Sequence, residues 1–290
     1  MECVLHILKI KAILIIARVV VSGRTTYLPC GIATVEARNA FVSVGHPPKY
    51  TNAMAMPNSM PWNVMVESNG ERCGGVLFRL SQYSNSSDLV LSSSQCFWKK
   101  EGVFDHTNAT IVLGFFKYPP VDDAVTVRVK SVTATPFDIL KKDIALVTLE
   151  SEVVFTDKVR PICLPNSDAE IPVSEVLHLT GWKMGTEKPR VSHMMHLEVH
   201  IMPTSLCELL FPNYSSFDHI CGEYVDRFMC NGTLLIDFGS PLIKKYGDKM
   251  FIIGMYNGEL RPKGSNERML YFSRISTSID WIIRSYYPSQ

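Results

Sequence analysis

Short apolar runs broken by turn residues fill the chain from Pro61 onward. The clearest are 63–66, 88–92, 109–113, 124–129 and 250–254, and 124–129 alternates apolar and polar side chains with the period of two that a half-buried strand requires. Many short strands at this spacing predict an all-β body, either an antiparallel barrel or a sandwich. The period changes at the C-terminus. There Ile279, Ile282 and Ile283 fall at i, i+3 and i+4 with Trp281 beside them, Ser276-Thr277-Ser278 stand where a cap is expected, and Pro288 follows. That pattern predicts one terminal helix.

The N-terminal stretch has another texture. Lys9 and Lys11 precede the apolar run Ala12-Ile13-Leu14-Ile15-Ile16-Ala17, then come Val19-Val20-Val21 and the small residues Ser22 and Gly23. A basic start, a short apolar stretch and a small-residue end predict a signal peptide over 1–23. The run is shorter than the ~20 residues of a spanning helix. Residues 24–49, with Pro47-Pro48, predict an extended leader. Four N-x-[ST] sequons, at Asn85, Asn108, Asn213 and Asn231, agree with secretion and mark candidate glycosylation sites. The 290 residues carry 29 Lys and Arg against 28 Asp and Glu, which gives no electrostatic argument for nucleic acid or an anionic membrane.

Several motifs in fixed order then carry a resemblance. They are Pro61-Trp62-Asn63-Val64, Cys73-Gly74-Gly75-Val76-Leu77, Leu91-Ser92-Ser93-Ser94-Gln95-Cys96, Lys142-Asp143-Ile144-Ala145-Leu146, Val159-Arg160-Pro161-Ile162-Cys163-Leu164-Pro165 and Thr180-Gly181-Trp182. Ile220-Cys221-Gly222, Asp237-Phe238-Gly239-Ser240-Pro241-Leu242 and Tyr271-Phe272-Ser273-Arg274-Ile275 continue the series. Over residues 50–290 the chain resembles trypsin-like serine proteases of the chymotrypsin fold. The resemblance implies two six-stranded antiparallel β-barrels with an ancestral cleft between them. It also implies disulfides joining Cys73 to Cys96, Cys207 to Cys221, and Cys30 to Cys163, the last tethering the leader. Two bridges usual in that family are missing: Leu177 replaces one cysteine, with Lys244 near its partner's place, and Cys230 lacks a mate, so that an inert buried thiol is the plainer expectation and an intermolecular disulfide the sharper one.

The family's chemistry needs a serine nucleophile, a histidine base and an aspartate that orients the histidine. The resemblance places Asp143 in the third role, Gln95 at the histidine position and Phe238 at the nucleophile position. A glutamine amide accepts no proton near neutral pH, and a phenyl ring has no nucleophilic atom. Ile236 stands where the family has the glycine of its oxyanion hole. No activation cleavage pattern precedes Pro61: the matching position reads Lys49-Tyr50-Thr51-Asn52. Asp237 therefore keeps the carboxylate that a freed amine would meet, and is expected to be solvated or paired locally.

Among other candidates, His196, Glu198 and His200 share a strand face near His193 and could hold zinc, but a polar surface face is the plainer expectation. Trp98-Lys99-Lys100 and Arg261-Pro262-Lys263 could meet an acidic partner, or be ordinary solvated charge. Met54, Met56 and Met60 are expected to pack under the first barrel. Together these readings expect a secreted, extracellular protease homologue without catalysis, metal or cofactor, binding or regulating a protein partner such as an active protease, inhibitor or receptor. The alternative is a weak or atypical serine-type endopeptidase using rearranged residues.

Overall fold

The apolar runs become strands of two closed sheets. The computed structural model describes residues 27–36, 54–99, 102–120, 123–135, 142–171, 173, 175–182, 192–211, 214–224, 236–260 and 269–287. The signal segment, most of the leader, Lys100, residues 261–263, Asn213, Cys230 and Asn231 lie outside them. The first half carries β1 (Asn63–Ser68), β2 (Glu71–Phe78), β3 (Ser86–Ser92), β4 (Thr110–Leu113), β5 (Lys117–Tyr118), β6 (Val125–Ala134) and β7 (Ala145–Val154). The second carries β8 (Val176–Trp182), β9 (Ser192–Ile201), α1 (Thr204–Leu210), β10 (His219–Tyr224), β11 (Pro241–Tyr246), β12 (Lys249–Leu260), β13 (Met269–Arg274) and α2 (Ile279–Tyr286).

Strands β1-β2-β3-β7-β6-β4 close on themselves, and β10-β13-β12-β11-β8-β9 close through a further β10–β9 pairing. These are the two six-stranded antiparallel barrels that the resemblance implies. β5 adds to the edge of β9 through Lys117 opposite His193, joining the two halves. Among the described residues no helix is long and apolar enough to cross a membrane.

The period of two sorts side chains between separate cores. Val64 and Val66 of β1 point into the first barrel with Leu77, Val90 and Ile111, while Met65 between them joins Trp62, Phe78, Trp182 and Ile252 in a core shared by both halves. Leu179, Leu197, Val199, Leu242 and Phe272 fill the second barrel. Trp182 stacks on Phe115 with ring centroids 4.4 Å apart and donates its indole N–H to the Phe116 carbonyl. The terminal helix buries Ile282 completely, a contribution of about 1.5–3 kcal/mol, whereas Ile283 is 41% exposed and does not share that face.

Two local expectations need correction. Ser278 sits at the N-cap of α2, but its hydroxyl donates to the Arg274 carbonyl instead of capping, because a 3-10 turn over Ser276–Ser278 leads into the helix. Of the three methionines placed under the first barrel, Met54 packs on the second-barrel core, where it bridges to Met195, and Met60 joins the shared core.

Three disulfides form: Cys73 with Cys96, Cys207 with Cys221 and Cys30 with Cys163. Where the family's other bridge would lie, Leu177 is buried in the second barrel and Lys244 pairs with Glu175. The leader around Cys30 touches both halves. Leu28 N donates to Asn85 Oδ1, Gly31 N donates to the Pro161 carbonyl, and Gly31 O accepts from Met250 N. Gly31 has φ +68°, and a Cβ there would stand 2.3 Å from the Met250 carbonyl oxygen, so only glycine fits.

Candidate functional site

The end of β3 runs into a short 3-10 turn over Ser94–Phe97, pinned by the Cys73–Cys96 disulfide. This turn folds around Asp143, which precedes β7 and is 1% exposed. The Asp143 carboxylate accepts from the Ser93 hydroxyl, from Ser94 N at 2.6 Å, from the Ser94 hydroxyl at 2.5 Å and from Gln95 N at 3.2 Å. Its own backbone N–H donates to Ser273 Oγ, which also accepts from Asn257 Nδ2, each at 2.8 Å. Two hydroxyls and two backbone N–H groups meet this carboxylate, and none of these donors is an imidazole. The adjacent pair Ser93-Ser94 is the sequence signal for this shell, whereas the Ser92 hydroxyl donates to the Gly74 carbonyl.

The segment between Ile236 and β11 faces that turn. Gly74 N donates to the Phe238 carbonyl, and Gly239 N donates to the Tyr256 carbonyl. Gly239 has φ +80°, and a Cβ there would meet Gly74 O at 2.4 Å and Ser93 N at 2.9 Å. Gln95, Asp143 and Phe238 are thus brought to one place, as the motif order implies. The Phe238 ring packs against the first-barrel core and lies nearly parallel to Tyr256, with centroids 6.2 Å apart. Its Cε1 lies 3.2 Å from where a Gly258 Cβ would be, beside the register shift that Asn257 introduces into β12. Ile236 is buried in the second-barrel core.

Asp237 corrects an expectation. It is not solvated: it is 1% exposed, and its Oδ1 has no hydrogen-bond partner. Burial pushes its carboxyl up to about 7, against a smaller opposing pull from Arg72. Burying a charge is costly, and the raised pKa is the expression of that cost.

The histidine face is also different from expectation. His196 is buried beside His178, with ring centroids 4.6 Å apart, and neither of its ring nitrogens has a hydrogen-bond partner. Burial first, then the neighbouring His178, lowers its pKa to about 4. The segment at Met54–Ala55 runs alongside β9 at Met194 and Met195, so this part of the strand is not a surface face. Glu198 remains exposed. Among the described residues no group of three or more His, Cys, Asp or Glu could hold a metal ion.

Lys99 forms an ion pair with Asp105 at 2.5 Å, and the bonds from Lys99 and Thr107 hold that carboxyl well below the usual carboxylate range. Trp98 packs edge-on against Phe104, with centroids 5.4 Å apart. With this geometry in place, comparison with protein families returns one described as trypsin, matched over residues 50–282.

Proposed function

The chain belongs to the trypsin family, and we propose that within it this protein is a secreted, glycosylated homologue that binds a protein partner without cleaving it. One observation carries the reading: the turn that grips Asp143 carries Gln95, and the segment that backs onto this turn at Gly239 carries Phe238. Acyl transfer by this family needs a nucleophile whose proton a base removes. Neither side chain can supply a part of that step. The Ser93 and Ser94 hydroxyls stay bonded to Asp143, with no imidazole to activate them. In another serine protease, losing the serine or the histidine alone removes about 10⁶ in kcat, and further losses add little.

The sequons and the disulfides support secretion, since such bridges persist in oxidising compartments. A kept scaffold with a dismantled reaction centre fits a decoy or regulator of a protease, inhibitor or receptor, a role argued by analogy of fold. Cys230 is available in this reading for a bond between chains.

The test uses the full chain secreted from animal cells, deglycosylated and weighed before and after a fluorophosphonate serine probe. No mass increment is expected. A stoichiometric adduct mapped to one serine would overturn the reading in favour of an atypical hydrolase.

A further inference from the structure

A groove of about 530 Å³ opens on the first barrel between the β1–β2 hairpin and the loop leading to β4. Its volume is within the about 300–1,000 Å³ of small-ligand sites, yet its walls are polar, unlike the mainly apolar walls usual there. Glu67, Glu71 and Arg72 line one side and Tyr118 closes the end. The Arg72 guanidinium lies 4.1 Å from the centre of the Tyr118 ring, and Tyr118 Oη donates to Glu67 Oε1 at 3.3 Å. Ser68 also lines the groove. It is 4% exposed, and its buried hydroxyl has no hydrogen-bond partner in the protein.

Asn108 sits on the rim of the same groove, exposed, at the turn two residues before β4 begins. It heads the sequon Asn108-Ala109-Thr110. We propose that an N-linked glycan on Asn108 folds back into this groove, its first sugars donating hydrogen bonds to the Glu67 and Glu71 carboxylates. The inference rests on the secretion reading above. Carboxylates and hydroxyls match the dense donors and acceptors of a sugar, and the covalent link at the rim holds the sugar at high local concentration. β2 runs from Glu71 in the groove to Gly74, which holds the Phe238 carbonyl, so a seated glycan stands on the same strand as that flank of the Gln95–Phe238 site. A partner would then approach from the other side.

The experiment is hydrogen exchange on the secreted full chain, comparing the glycosylated protein with Asn108→Gln and with protein trimmed enzymatically to a single sugar at each site. Amides of residues 67–72, far from Asn108 in sequence, are expected to exchange about threefold or more slowly with the full glycan present. The double variant Glu67→Ala, Glu71→Ala should lose that slowing while still carrying the glycan. Equal exchange in all forms means the sugar stands free in solvent and overturns the proposal. A bare Asn108 beside an occupied Asn85 overturns it too, leaving secretion intact. No sugar on any sequon would instead strike at the secretion reading itself.

Discussion

Two aspartates, Asp143 and Asp237, are each 1% exposed, and they lie on the two sides of one site. Asp143 is met by two hydroxyls and two backbone N–H groups, while Asp237 Oδ1 meets no donor. The contrast shows two ways a fold accommodates a buried carboxylate: close hydroxyl and backbone donors around Asp143, and a raised pKa at Asp237.

The comparison can be broken most severely at Asp143. Asp143→Ala strands the Ser93 and Ser94 hydroxyls and two N–H groups in the interior, and is expected to cost about 3–5 kcal/mol, as for other broken buried charged networks. Chemical denaturation of the variant checks this, and a loss under ~1 kcal/mol would mean that the shell contributes little to holding the two barrels.

Asp237→Asn should act in the opposite direction. An unfolded aspartate titrates near ~3.9, whereas burial puts the folded group at about 7. Above both values the native state carries the full penalty. As pH falls from about 7 toward ~4 the native carboxyl protonates first, and the penalty disappears. Asp237→Asn is therefore expected to be more stable than the parent by about 2 kcal/mol at pH 8 and equal to it near pH 4. Denaturation midpoints at the two pH values decide it. A constant difference would mean that Asp237 is not the titrating group.

His196 gives the smallest effect and an opposite sign. Its folded pKa of about 4 lies below the ordinary histidine value, so its stabilising share is present at neutral pH and is lost as pH falls through about 6.5 to 4. His196→Leu should flatten that acid limb while leaving stability at pH 8 within ~1 kcal/mol of the parent. An unchanged acid limb would place the titration elsewhere.

How much of this was legible in advance depends on the length scale of the signal. Alternation at 124–129 is local, and β6 covers it. The order of nine short motifs led to both barrels and to three disulfides among the described residues, because barrel closure and covalent cross-links depend on residues spread along the whole chain. What failed depended on packing between distant segments. His196 is read as a surface residue from its polar neighbours, yet Met54 and Ala55, about 140 positions earlier, pair along its strand. Asp237 is buried by its surroundings in the second barrel, and nothing within its own motif announces that no donor will reach it. The Ser278 hydroxyl had a carbonyl four residues back as a competing partner, a choice that composition alone does not reveal.

The leader around Gly31 has a consequence for how the molecule is counted. Residues 27–36 are held by the Cys30–Cys163 bond, by hydrogen bonds to Pro161 and Met250, and by the Leu28–Asn85 contact. A cut anywhere in 37–53 would therefore create a second polypeptide without creating a second particle. The two pieces would travel together through gel filtration and part only after reduction and denaturation. Processing of the leader, if it occurs, would be silent in size and visible only in end groups.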